Sequence, residues 1–175
     1  MPGKPDPNVC LINGDICCLR PWRAEDAEWY VKSRDEVIFK WTKERRDLTV
    51  EQAASAIREV AVNPDTHCFA IVERSTGDLA GNIALVVLET ERTTAEIMYW
   101  LAPEWRGRGL ASGAISLLST WVFRSLGLER IVLKTHPDNI ASQQTAERAG
   151  FRRGVGPRAD EPDGKALWFM RRSID

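Results

Sequence analysis

The sequence predicts an α/β (α+β) domain: a mixed sheet of about six to seven strands flanked by about four helices. Three observations carry this. Short β-branched runs bounded by turn residues alternate with longer stretches of helical period, in the order strand, helices, three strands, helix, strand, helix, two strands. A chain of 175 residues is the length of one domain with a full core. No repeat, low-complexity tract or linker divides it.

Residues 1–12 are rich in Pro and Gly and read as a mobile tail, with a single domain over 13–175. Ile16 to Trp22 is β-branched enough for a strand. Arg23 to Ala27 then opens a helical stretch, with Glu25 and Asp26 near its positive end, that reaches Trp41 with a break at Ser33–Asp35. Thr49 followed by Gln52 is a capping box, which starts a second helix running to Val60. Cys68 to Val72 is a strand, Ser75 to Asp78 a turn, and Leu79 to Leu88 the returning strand. Ala95 to Ala102 is a third, ending before Pro103. Leu110, Ala114, Leu117, Leu118, Trp121 and Val122 fall at helical spacing, and Gly127 closes that helix. Ile131-Val132-Leu133 is a short buried strand. A last helix from Asp138 to Ala149 stops at Gly150, and Phe151–Val155 and Ala166–Arg171 read as final strands.

The composition, 43% hydrophobic and 28% charged, is that of an ordinary globular protein. Lys+Arg 24 against Asp+Glu 25 leaves a net charge of -1, too little positive charge for a chain that neutralises many phosphates of nucleic acid. No apolar run approaches the ~20 residues of a membrane span, and the opening residues lack a signal peptide's apolar run. A cytoplasmic protein is expected. Cys10, Cys17, Cys18 and Cys68 form no Cys-x-x-Cys pair, so no metal site is read and the thiols are expected reduced and mostly buried. Adjacent Cys17 and Cys18 in a strand would point to opposite faces.

The most informative segment runs from Trp100 to Gly113, where a strand enters a glycine turn that opens a long helix. That geometry aims unpaired N–H groups and the positive end of the helix dipole at one point, and glycine lets an anion approach the backbone. Phosphate or pyrophosphate is the natural ligand. A Walker loop needs Lys-Ser/Thr after its second glycine, where Leu110-Ala111 stands instead. The dinucleotide fingerprint needs a third glycine where Ser112 stands, and an acid after the next strand, which leads into Lys134 and Thr135.

Arg106-Gly107-Arg108-Gly109-Leu110-Ala111 matches the Arg/Gln-x-x-Gly-x-Gly/Ala loop that binds acetyl-CoA pyrophosphate in the GNAT acyltransferase superfamily. Asn139-Ile140-Ala141-Ser142, then Glu147-Arg148-Ala149-Gly150-Phe151, resembles the Asn-x-x-Ser…Glu-Lys-x-Gly-Phe helix of the branch containing the ribosomal-protein N-terminal acetyltransferases. Thr94 to Leu101 resembles that branch's fourth strand, and Leu19 to Trp22 with Glu25 to Ala27 its opening. The resemblance covers nearly the whole chain after the tail.

The resemblance implies a GNAT fold, its mostly antiparallel sheet splayed beside the cofactor, and an N-acetyltransferase in which an amine attacks the thioester of acetyl-CoA directly. Backbone at Tyr99, Trp100 and Leu101 would pair with the pantetheine arm, with the N–H of Trp100 or Leu101 polarising the thioester carbonyl. Arg106, Gly107, Arg108, Gly109, Leu110, Ala111 and Ser112 would bind the pyrophosphate, and Asn139 the pantetheine arm. Many members carry a Tyr, donor to the leaving thiolate, four residues after the position of Ser142; Ala146 stands there, and Ser142 is the replacement acid. Glu96 matches a strand carboxylate that some members use as base, with Lys134, His136, Glu161 or water as alternatives. Trp22, Trp29 and Trp41 lie in the elements that wall the acceptor cleft in this family, and Trp22 and Trp41 are read as acceptor-binding, against ordinary core packing. The implied acceptor is a primary amine, either a protein N-terminus or a small molecule; a non-catalytic CoA-binding module is the competing reading. The family admits homodimers, which no residue here specifies.

Overall fold

The computed structural model describes residues 10–154 and 166–173. The described strands are β1 (Ile12–Asn13), β2 (Cys17–Pro21), β3 (Thr66–Glu73), β4 (Leu79–Val87), β5 (Thr94–Leu101), β6 (Arg130–Thr135), β7 (Arg152–Gly154) and β8 (Leu167–Arg172). They form one sheet in the order β1-β2-β3-β4-β5-β6-β8-β7, antiparallel throughout except for the β5–β6 pair. The helices are α1 (Ala27–Lys32), α2 (Glu36–Trp41), α3 (Val50–Val60), α4 (Leu110–Trp121) and α5 (Ile140–Arg148). Residues 1–9 and Glu161 lie outside the described residues.

Local chemistry sets most boundaries where the sequence puts them. Thr49 Oγ1 accepts from the Gln52 N–H at 3.2 Å while Gln52 Oε1 accepts from the Thr49 N–H at 3.1 Å, the reciprocal pair of a capping box. Asp35 accepts from the Ile38 N–H at 3.0 Å and starts α2 after the break. Gly127 (φ 66) and Gly150 (φ 84) close the two later helices in the left-handed conformation. Asn139 caps α5, its Oδ1 accepting from the Ser142 N–H at 3.1 Å.

Two expectations are corrected at the start of the chain. The Leu11 N–H donates to the Leu19 carbonyl at 2.8 Å, and Ile12 pairs with Leu19, so strand pairing begins inside the expected tail. A strand this short leaves no alternation to read. The same hairpin places Cys10 beside Cys18, and the two form a disulfide with Cα atoms 5.9 Å apart, in place of two thiols. Metal-ligand spacing rules carry no information about cysteines that meet across a hairpin. Cys17 and Cys68 remain thiols, each pushed up to about 11 by burial.

The period of two in the strands sorts side chains to two faces. Under α4 and α5 lies the main core, with Cys17, Leu19, Ile71, Ile83, Leu85, Ile97, Ile115, Leu118, Ile131 and Leu133. Cutting Leu118 to Ala there costs about 2–5 kcal/mol. The opposite face carries Cys18, Trp22, Ala70 and Val72, packed against Trp29 and Tyr30 of α1 and Ile57 of α3. Cys17 and Cys18 therefore do point to opposite faces.

The sheet opens at one place. β5 runs beside β6 only over Thr94–Ile97 against Arg130–Leu133. Beyond that, Trp100 and Leu101 stay paired with Asn82 and Gly81 of β4, while Lys134 and Thr135 stay paired with Trp168 and Leu167 of β8. The edge of β5 from Met98 to Leu101 thus borders a gap. α4 starts just past the end of β5, and α5 just past the end of β6.

Candidate active site

The gap has a phosphate-type cradle at one end. Gly107 (φ 73) and Gly109 (φ 77) are both left-handed, and a Cβ would meet nothing within 4 Å at the first and only Ile16 Cδ1, at 3.9 Å, at the second. Backbone angle, not crowding, demands glycine here. The first bond along the helix that follows joins the Gly113 N–H to the Gly109 carbonyl at 3.0 Å. The N–H groups of Leu110, Ala111 and Ser112 precede it, with no helical acceptor behind them. The Ser112 hydroxyl turns back to the Gly109 carbonyl at 3.0 Å, leaving the loop's donors on the backbone.

The two arginines of the loop differ in their surroundings. Arg106 donates to both carboxylate oxygens of Asp35 at 2.8 Å and, through Nε, to the Leu101 carbonyl at 3.1 Å. That contact holds the Asp35 carboxyl below its ordinary pKa. The Arg108 guanidinium lies over the Trp105 ring, 4.9 Å from its centroid. Arg106 is thus ion-paired within the protein, while Arg108 stays exposed beside the glycine turn with only a ring as its neighbour. α2 gains a second anchor at its other end, where Trp41 meets His136 with ring centroids 5.5 Å apart. One short helix therefore ties the end of β5 to the end of β6 across the gap.

Strand alternation decides which peptide groups face the gap. The Ala102 N–H donates to the Ala80 carbonyl, and Leu88 donates to the Thr94 carbonyl, so even-numbered residues of β5 turn their N–H and C=O toward β4. Trp100 is among them. Tyr99 and Leu101 turn theirs toward the gap, and with the Leu101 carbonyl taken by Arg106, the Leu101 N–H is the donor of the expected pair that faces it. The Trp100 indole packs on the helical face, stacked on Trp29 at 6.1 Å and donating to Glu44 at 3.1 Å. Glu44 also accepts from Tyr30 at 2.7 Å and Arg34 at 3.0 Å, fixing the segment after α2 against β5.

The candidate acid and base stand on opposite faces of the sheet. Tyr99 points to the α5 side, where its hydroxyl donates to Ser142 Oγ at 3.0 Å. Burial raises the phenol above its ordinary pKa, an effect partly offset by the Ser142 and Thr145 hydroxyls. Glu96 lies on the other face, half-buried, in register with Val86 and Val132. Met98, 45% exposed, follows it on that face. Lys134 sits with its ammonium 5.8 Å from the Trp168 ring. His136 is exposed at the end of β6, its Nδ1 accepting from the Asp138 N–H at 3.1 Å.

The tryptophans divide. Trp22 is 8% exposed, donates to Asn82 Oδ1 at 2.9 Å and is enclosed by Trp29 and Tyr30, so it is core rather than cleft wall. Trp41 stays half-buried at the mouth, with Lys40 over its ring at 4.4 Å. Sequence reasoning missed Asp35, Glu44, Met98 and the Tyr99 side chain. Only Asp35 and Met98 left a local signal, the first as a cap position and the second by alternation with Glu96.

Comparison with known proteins identifies the family and the fold. Residues 17–152 match the model of the Acetyltransferase (GNAT) domain family. The chain is 32% identical over 148 residues to the uncharacterized N-acetyltransferase YoaA of Bacillus subtilis (strain 168), covering 82% of this chain and 83% of that one. It is 39% identical over 74 residues to the ribosomal-protein-serine acetyltransferase of Escherichia coli (strain K12), covering 42% and 41%. A structure of RimL, a ribosomal alpha-N-protein acetyltransferase in complex with coenzyme A, superposes with a TM-score of 0.79 at 20% identity, covering 95% of this chain and 100% of that one.

Proposed function

The chain belongs to the GNAT acetyltransferase family, and from that premise we propose that it transfers the acetyl group of acetyl-CoA to a primary amine, with a peptide N-terminus as the favoured acceptor. The observation that carries this is the gap between β5 and β6, faced by the peptide groups of Tyr99 and the N–H of Leu101 and ending at the bare N-terminus of α4. The residues present fit acetyl-CoA: N–H groups from Arg108 to Ser112 for the pyrophosphate, the β5 edge and Asn139 for the pantetheine arm. Bound there, it supplies an acyl group activated as a thioester.

The chain's own residues supply the rest. The Leu101 N–H donates to the thioester oxygen as negative charge grows on it. Glu96, directly or through one water, takes the proton that the amine loses as its C–N bond forms. Ser142 gives its hydroxyl proton to the sulfur as the C–S bond breaks, and is reprotonated from solvent. Glu96 and Ser142 lie on opposite faces of the sheet, which supports giving the two proton transfers to separate groups: one for addition of the amine, one for expulsion of the thiol. His136 is the alternative base.

The acceptor follows from proton availability. An α-amino group with a pKa of about 7.7–8.0 is partly neutral at neutral pH, whereas a lysine at about 10.4 is neutral in less than about one molecule in a thousand. A half-buried strand carboxylate suits the first. The ribosomal alpha-N-protein activity in the name of RimL points the same way. Ala146, at the position of the family's usual Tyr, favours a second reading in which the fold binds CoA without chemistry.

The test is thiol release from acetyl-CoA with a panel of peptides bearing free or blocked N-termini, and with small amines. Release that depends on a free N-terminal amine is expected. Retained acetyl-CoA binding with no release for any amine would favour the non-catalytic reading.

A further inference from the structure

Tyr99 on β5 and Ser142 on α5 lie 43 residues apart in sequence, and their hydroxyls are 3.0 Å apart. We propose that Tyr99 is a positioning residue for Ser142: its phenol holds one lone pair of Ser142 Oγ and turns the serine's own O–H toward the sulfur of the leaving thiol. This rests on the acyl-transfer reading above. It also accounts for Ala146, because the phenol that reaches the thiol end of the gap comes from the strand rather than from the helix.

The direction of the bond follows from the chemistry of the two groups. A phenol is a far better proton donor than an alkyl alcohol, so Tyr99 donates and Ser142 accepts. Serine has a single O–H and two lone pairs. With one lone pair taken by Tyr99, and the Ser142 backbone N–H taken by Asn139, the hydroxyl proton is what Ser142 has left to offer. Burial of the phenol keeps Tyr99 protonated, and therefore a donor, across the neutral range. Thr145 does not compete for the sulfur: its hydroxyl donates to the Ala141 carbonyl at 2.8 Å. When Ser142 gives up its proton, an S–H bond forms, the Tyr99 O–H stabilises the serine oxygen, and solvent restores the serine proton. Tyr99 keeps its own proton throughout.

The experiment is a double-mutant cycle of Tyr99→Phe, Ser142→Ala and the pair, reading kcat and the acetyl-CoA Kd. Tyr99→Phe is expected to lower kcat about tenfold with Kd within about twofold, and to cost nothing further in the Ser142→Ala background. Additive losses, or an unchanged kcat in Tyr99→Phe, would overturn the proposal. Full kcat in Ser142→Ala would instead overturn the acid role of Ser142 in the underlying reading. A second readout needs no turnover and no substitution of Tyr99. The chain has 2 tyrosines, Tyr30 and Tyr99, so fluorotyrosine labelling gives two resonances. Ser142→Ala should shift the Tyr99 signal and leave that of Tyr30 in place; a Tyr99 signal that stays put contradicts the contact.

Discussion

Arg106 places both terminal nitrogens 2.8 Å from the carboxylate oxygens of Asp35, joining the glycine loop to the first turn of α2. Arg106 acts as a strut between them, and its partner is also the helix cap. Asp35→Asn separates the two roles, because Asn caps as well as Asp but cannot pair as an anion. With both side chains about a third exposed, the loss should be about 1 kcal/mol, or about 2–4 °C in Tm. The acceptor KM should rise as α2 loosens. Unchanged Tm and KM would show that the strut is idle.

Gly109 holds φ 77 at the mouth of the phosphate cradle. Asn tolerates that conformation and Asp adds only charge, so Gly109→Asn and Gly109→Asp form a matched pair. Calorimetric titration with acetyl-CoA should show binding at least about tenfold weaker in the Asp variant than in the Asn variant, because a carboxylate would face the pyrophosphate. Equal affinities in two folded variants would remove the loop from the site.

Glu96→Gln should lower kcat about a hundredfold at neutral pH while leaving the acetyl-CoA Kd unchanged. Steady-state rates with a peptide acceptor check this. An unaltered kcat would pass the role of base to His136 or water.

Glu73 accepts from the Thr76 and Ser75 N–H groups at 2.8 and 3.0 Å and from both hydroxyls, tying the β3–β4 turn. These bonds, that of the Thr76 backbone first, lower its pKa to about 2. The folded value lies below the unfolded one of about 4.3. Its contribution is therefore complete above about pH 5 and disappears as the pH falls through about 2. The Tm difference between the wild type and Glu73→Gln should shrink over that window. Parallel curves would contradict the turn assignment.

The parts of the fold that depend on neighbours in the chain were readable. Thr49 and Gln52 announce their own capping box, Gly109 and Gly127 bracket α4 and the turn that closes it, and Cys17 and Cys18 alternate as strand residues must. What stayed hidden depends on residues far apart in sequence. Nothing local marks Asp35 as the partner of Arg106, Tyr99 as the partner of Ser142, or Asn82 as the acceptor that keeps Trp22 inside. The Cys10–Cys18 bond belongs to the same class: its hairpin strand has two residues, too few to carry a pattern.

The central claim is that the gap beside α4 binds acetyl-CoA, and thermal unfolding tests it most directly. Acetyl-CoA at about 100 times its Kd should add about 2.7 kcal/mol, a rise of about 5–10 °C in Tm for a domain of this size, while NADH and ATP at equal concentration leave Tm in place. No rise with saturating acetyl-CoA, or an equal rise with NADH, would contradict the assignment of the glycine turn.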